Sequence, residues 1–143
     1  MLIDLIIHNE IVPAVNQVET HPFYQQIETQ KFLQENNVQI ESWGPFDEGK
    51  NNIFHNELLL SIAQQYNKSI AQVILRWLTQ RGVVAIPKSM RKERMEENFN
   101  IFDFELNAGD MKAIKTLDTK LSSFFDHRDP AMVKWLGERK LDV

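Results

Sequence analysis

The stretch Val83–Phe99, VVAIPKSMRKERMEENF, decides how this chain is to be read. Its apolar start, Val83 to Pro87, follows the stop signal Arg81-Gly82 and runs straight into Lys88, Ser89, Met90 and Arg91. A short β-branched run bounded by turn residues predicts a buried strand. Beyond it, Met95, Phe99 and Phe102 share one face of a predicted helix. The charges of that helix are reversed: Lys88, Arg91, Lys92 and Arg94 crowd its start, while Glu96 and Glu97 come later. Helix N-termini favour acids, and each exposed cation in the first turn costs about 0.3–1 kcal/mol. A bound anion would turn that cost into a gain. Arg91 and Arg94, three apart, share a face and could grip one phosphate with forked donors. A solvated basic turn is the other reading of the same residues.

Working outward, the chain alternates strand-like and helix-like segments. Ala14–Glu19 reads as a strand, followed from Pro22 by a helical segment with Phe23 and Ile27 four apart. Val38–Ser42 is a second strand, closed by Trp43-Gly44-Pro45. Two helical segments follow, the second opened by a capping box, Ser69 to Gln72, with Ile70, Val73, Ile74 and Trp77 on one stripe. A last helix begins near Asn107 and turns Met111, Ile114 and Leu117 inward. The tail from Leu121 (residues 121–143) reads as irregular and is rich in Phe and charge.

Alternation of this kind predicts parallel strands joined by crossovers. An open three-stranded parallel sheet leaves two bare edges and one poorly covered face. No Gly-x-Gly-x-x-Gly follows any strand, so a dinucleotide fold of the Rossmann kind lacks its fingerprint. Part of a (β/α) barrel fits better, and there functional groups gather after the C-terminal ends of strands. Those places hold Glu19-Thr20-His21-Pro22, Trp43-Gly44-Pro45-Phe46 and Lys88-Ser89-Met90-Arg91. An aromatic shelf beside a cationic pocket suits a nucleotide with a flat ring and phosphates.

Each piece has a plainer alternative. Trp43, beside the permissive Gly44 and the stiff Pro45, is a stacking surface or a packed aromatic beneath a loop. Glu19 and His21 lack a third ligand at a recognisable spacing, so no metal is expected. The tail Phe124–Pro130 is a lid or a packed extension.

Composition bounds the rest. The 143 residues, 43% hydrophobic and 25% charged, suffice for one domain, taken as residues 1–143, and argue against disorder. A net charge of −4 lacks the broad basic field of a nucleic-acid binder, so anion recognition has to be local. The absence of cysteine excludes a disulfide scaffold, a thiolate metal site and a cysteine nucleophile. With no signal peptide or membrane span visible, a cytoplasmic protein is expected. No Ser-His-Asp order, phosphate loop or paired-carboxylate spacing stands out.

In order and spacing, Pro13–Pro22 (PAVNQVETHP), Trp43–Phe46 (WGPF), Ile86–Ser89 (IPKS) and Arg94-x-x-Glu97-Asn98-Phe99 resemble the aldo-keto reductase family over nearly the whole chain. The tail Phe125–Pro130 (FDHRDP) is similar to bacterial members. The resemblance implies the C-terminal half of a (β/α)8 TIM barrel, strands six to eight, with Leu2–Asn9 as the helix before strand six. Self-association or a missing N-terminal half would complete it.

It also implies NADP(H) as cofactor and carbonyl reduction as the family's activity. Gln17 would bind the nicotinamide carboxamide. Trp43 would stack on the ring where many members have Tyr, and the backbone at Gly44, Pro45 and Phe46 would follow the pyrophosphate. The adenosine 2′-phosphate and adenine fall to Ile86, Lys88, Ser89, Met90, Arg91, Arg94, Glu97 and Asn98. The family's catalytic Asp, Tyr, Lys and His belong to the first half of the barrel, and no residue here matches them. The expectation is a cofactor-binding half, inactive by itself, or a non-enzymatic assembly or nucleotide-binding module.

Overall fold

The computed structural model describes residues 2–126 and 129–140; His127 and Arg128 of the tail motif lie outside the described residues. Three parallel strands form one sheet in the order β1 (Val15–Glu19), β2 (Gln39–Trp43), β3 (Val84–Ala85). The register sets Gln17 beside Glu41 and Glu41 beside Val84. Helix α1 (Leu2–His8) precedes β1, and α2 (Ile27–Glu35) joins β1 to β2. Two single 3₁₀ turns, Asp47–Gly49 and Ile53–His55, lead into α3 (Glu57–Tyr66) and α4 (Ile70–Gln80), which join β2 to β3. Then come α5 (Lys92–Phe99), α6 (Ala108–Lys115) and α7 (Pro130–Glu138).

The predicted alternation is therefore present, and its two-residue period sorts the sheet into two faces. Ile40 and Val38 point into a core built with Leu33, Ile53, Leu59, Ile74, Trp77, Leu78 and Ile114. Helix α4 contributes more of it than any other element, as its stripe requires, and its N-terminus carries the expected capping box. Burying each such Leu or Ile side chain contributes about 1.5–3 kcal/mol. The opposite face carries Val15, Gln17, Glu41 and Val84, with Val15 49% and Val84 43% exposed. Among the described residues, no helix covers that face.

Four details depart from the sequence reading. The helix after β1 starts at Ile27, not Pro22. His21 and Tyr24 exchange backbone hydrogen bonds of 3.1 and 3.0 Å, and the turn this makes holds Pro22 and Phe23 out of the helix. The third strand pairs only through Val84 and Ala85, since Pro87 has no N–H to give a ladder. Phe102 lies beyond α5, which stops at Phe99, where the Gln72 side chain donates to the carbonyls of Glu97 and Asn100 at 3.1 and 2.8 Å. Phe102 still meets Phe99 edge-on, ring centroids 6.2 Å apart.

The tail is not irregular throughout. Asp129 accepts from the Ala131 N–H at 2.9 Å, and Pro130 fills the first helical position of α7. Two other predicted features hold: Ile114 is fully buried on α6, and Met111 and Leu117 pack against the core, Leu117 just past the helix end.

A half-buried cation ties together the segments behind the sheet. Arg81 donates to the Gln25 carbonyl and the Gln30 side chain, both at 2.7 Å, with its guanidinium 4.4 Å from the Trp77 ring. Burial pushes Arg81 down to about 10, while the charge of Asp118 acts the other way.

Candidate functional site: the open face and the C-terminal strand edge

Parallel pairing brings the loops after β1, β2 and β3 to one edge of the sheet. Gln17 stands mid-strand on the open face, exposed, and its side-chain amide donates to Glu41 of the neighbouring strand. Period-two geometry places the two side chains together. Glu41 was not singled out from the sequence, although its position opposite Gln17 follows from the register.

Trp43 ends β2, half-exposed. Its ring lies against Phe124 of the tail, centroids 4.8 Å apart and planes tilted by 57°. Trp43 is thus packed on one side, which joins the two readings of it rather than choosing between them. Gly44 follows at φ +64°, where a side chain would be strained, and a Cβ there would meet Phe124 at 3.8 Å. Pro45 is buried, and Phe46 packs on Phe54 with centroids 5.7 Å apart. Lys50 sits 3.7 Å over the other aromatic of this group, Phe124. The backbone of this turn is stiff and wrapped by apolar rings.

The third loop is different in character. Ile86 is 55% and Met90 91% exposed. Ser89 Oγ accepts from the Arg91 N–H at 3.1 Å, a local turn that points the chain into α5 with Arg91 in the capping position. Arg91 offers no side-chain cap, so the first N–H groups of α5 keep their donor capacity. Lys92 pairs with Glu96 at 3.7 Å. Among the described residues Lys88, Arg91 and Arg94 are exposed and take part in no salt bridge. Glu97 and Asn98 are half-buried near the far end of the helix. For these three cations the reversed charge gradient is not relieved among the described residues.

Beneath the edge lies a buried polar knot. Glu19 accepts from His21 Nε2 at 2.9 Å, from the Ser123 N–H at 2.8 Å and from Ser122 Oγ at 2.5 Å. His21 also lies 3.5 Å from Asp47. Sequence spacing gave no hint of Asp47 or Ser122, which the β2 loop and the tail bring in from far along the chain. Just before the tail, Thr119 donates to the Phe23 carbonyl through its N–H at 2.9 Å and its hydroxyl at 2.7 Å.

Comparison with known proteins shows the family to which this fold belongs. The profile described as "Aldo/keto reductase family" matches residues 3–119. Glyoxal reductase of Bacillus subtilis (strain 168) is 47% identical over 115 residues, 80% of this chain and 41% of that protein. Aldose reductase B of Dictyostelium discoideum is 44% identical over 120 residues, 84% of this chain and 39% of that protein. A crystal structure of a Gox0644 mutant in complex with NADPH superposes with a TM-score of 0.79 at 38% identity, covering 83% of this chain and 43% of that one. The chain thus spans about two-fifths of the length of the curated relatives it matches. A parallel sheet with one face bare is what a part of their barrel would present, and the chain belongs to the aldo/keto reductase family.

Proposed function

We infer that this chain carries the NADPH-binding part of an aldo-keto reductase, with β1, β2 and β3 as barrel strands six to eight. The observation that carries the reading is the shared strand edge: an amide on the open face, a half-exposed aromatic and three unpaired cations lie along it. Gln17 would give up Glu41 to take the nicotinamide carboxamide, and Trp43 would stack on the ring. The backbone of Gly44, Pro45 and Phe46 would follow the pyrophosphate. Lys88, Arg91 and Arg94 would hold the 2′-phosphate, with Ile86, Ser89, Met90, Glu97 and Asn98 around the adenosine. Unpaired cations at a helix start favour NADPH over NADH, because only NADPH brings the extra dianion.

When bound, the cofactor supplies a hydride; reduction of a carbonyl also needs an acid at its oxygen. Tyr66 donates its hydroxyl to Asp110 at 2.5 Å on the helix side, and Tyr24 lies in the His21 turn. Neither has a lysine partner on the open face. The 143 residues by themselves should therefore bind NADPH without turning carbonyls over. Titration with NADPH should quench Trp fluorescence saturably, with NADH weaker and Trp43→Phe removing the response. Equal affinity for both cofactors, or no saturable response, would refute the assignment. Protein-dependent NADPH oxidation with simple aldehydes well above background would refute inactivity alone.

A second reading concerns assembly. Bare strand edges and clustered exposed apolar side chains are stable only when covered. Val15 and Val84 are exposed on the sheet, Ile86 just past β3, and Ile3, Leu5 and Ile7 on α1. A second copy or an N-terminal barrel half would cover them, and a half-barrel serving only as an assembly or nucleotide-binding module remains the alternative role. Size exclusion with light scattering should return more than one chain per particle; a clean 16.8 kDa species would refute self-association. A cytoplasmic location goes with this reading, and no helix among the described residues is long and apolar enough to cross a membrane.

A further inference from the structure

The knot formed by Glu19, His21 and Asp47 is used by nothing in the cofactor reading. Glu19 closes β1, His21 follows two residues later, and Asp47 opens the 3₁₀ turn after Phe46. Their side chains are 6%, 0% and 0% exposed. One donor atom from each stands within 4.8 Å of the others.

Charge and hydrogen bonding both leave this group incomplete. With a neutral imidazole the three side chains carry two negative charges, and with an imidazolium one remains. No Lys or Arg pairs with either acid among the described residues. The Asp47 side chain is satisfied on one oxygen only, where Asn51 donates to Oδ2 at 2.7 Å. Its Oδ1 is buried without a hydrogen-bond partner, although it faces His21 Nε2 at 3.5 Å. A single N–H of the imidazole is already directed at Glu19 at 2.9 Å, so it cannot serve both acids well. An enclosed, unpaired carboxylate oxygen is costly in any fold. One divalent cation between the three donors would balance the charge and occupy that oxygen.

We propose that Glu19, His21 and Asp47 bind one divalent first-row transition cation, through Glu19 Oε1, His21 Nε2 and Asp47 Oδ1. The cation takes the place of the Nε2 proton, and the imidazole stays neutral with its one proton on Nδ1, which is buried and has no hydrogen-bond partner. One imidazole with two carboxylates, and no thiolate, is a donor set suited to Zn²⁺ or Mn²⁺. Metal–ligand bonds of about 2.0–2.2 Å at tetrahedral angles set ligand pairs ~3.3–3.6 Å apart; His21 Nε2 and Asp47 Oδ1 already stand 3.5 Å apart, and the 2.9 Å between His21 Nε2 and Glu19 Oε1 would open by about half an ångström. Ser122 and Ser123 orient the Glu19 carboxylate from outside, the role that hydrogen-bonding partners commonly take around a metal. The ion would therefore brace the junction of β1, the loop after β2 and the tail, beneath the cofactor edge and independent of it.

Because the site is closed, the test loads metal during refolding. The full chain is unfolded, stripped with chelator, refolded with Zn²⁺ or Co²⁺, dialysed, and its metal content measured. Asp47→Asn and the double variant His8→Gln/His55→Gln, which removes two exposed imidazoles, are treated alike. The expected result is one tightly held ion per chain, and a Co²⁺ visible spectrum unlike that of aqueous cobalt. Asp47→Asn should bind about 10-fold or more weakly, and the double variant should bind as the parent does. Retention far below one ion per chain, an aqueous-type Co²⁺ spectrum, or equal binding by Asp47→Asn would each overturn the proposal. If Asp47→Asn does not refold, the stoichiometry and spectrum of the unaltered chain decide. NADPH titration of the metal-free chain reads the cofactor site separately.

Discussion

The backbone N–H of Ser123 donates to the carboxylate of Glu19 at 2.8 Å, joining residues 104 positions apart. Ser122 adds its hydroxyl to the same carboxylate at 2.5 Å, and two residues further on Phe124 reaches the Trp43 ring. The tail is thereby fastened to the end of the first strand before it passes over the second. Hydrogen bonds to a buried charged acceptor are the stronger kind, so this tie fixes how far Trp43 is covered.

Glu19→Gln should destabilise the chain by about 1.5–3 kcal/mol, because a charged acceptor of several donors is replaced by an amide that satisfies fewer of them. Ser122→Ala should cost about 1 kcal/mol. Urea unfolding measures both. Glu19→Gln should also open the tail to protease, and unchanged stability with unchanged cleavage would mean the tie is incidental.

Arg94→Ala should weaken NADPH binding by about tenfold, the worth of one charge-assisted contact to a phosphate, and leave NADH nearly unaffected. The difference between the two cofactors should shrink as salt rises, since the pair is exposed. Fluorescence titration at two ionic strengths checks this. Equal losses for NADPH and NADH would place Arg94 away from the 2′-phosphate.

Tyr66 should ionise above the ordinary tyrosine range. Its hydrogen bond to Asp110 favours the neutral phenol and burial adds to it, whereas Asn107 opposes with weaker bonds. Absorbance titration near 295 nm reads the two tyrosines directly. Asp110→Asn should bring Tyr66 back toward about 10. The stability linked to this bond is present below pH of about 10 and is lost as pH climbs through the raised value. A Tyr66 that titrates normally would remove the bond to Asp110 from solution.

The helix caps should be worth their usual amounts. Ser69→Ala and Asn107→Ala each break a capping box and should cost about 0.5–2 kcal/mol. Trp77→Ala, which empties a site only 1% exposed, should cost about 3–5 kcal/mol. Thermal and urea unfolding check these, and a cap loss as large as the core loss would overturn the ranking.

Local patterns were legible wherever the controlling forces are local. The Ser69 box, the stripe of α4, the Gly82 stop and the turn at Gly44 depend on neighbours within a few residues, and each lies where the sequence places it. The α7 signal, Asp129-Pro130, was equally local but sat in a segment whose mix of Phe and charge reads as irregular. The early start assigned to α2 meets two obstacles: the His21–Tyr24 turn, and Gln25, whose side chain is drawn inward to the Ile114 carbonyl at 2.7 Å.

What the sequence by itself determined is the order of strands and helices, the residues at each strand's end and the unbalanced cations before α5. These follow from periodicity, turn chemistry and charge, which act along the chain. Only the tertiary structure decided which of those ends meet a partner. It set Glu41 beside Gln17, laid Phe124 on Trp43 and closed Asp47 onto His21 and Glu19. Such pairs depend on strand register and on segments far apart in sequence, and their free energy appears only when packing removes water from between them.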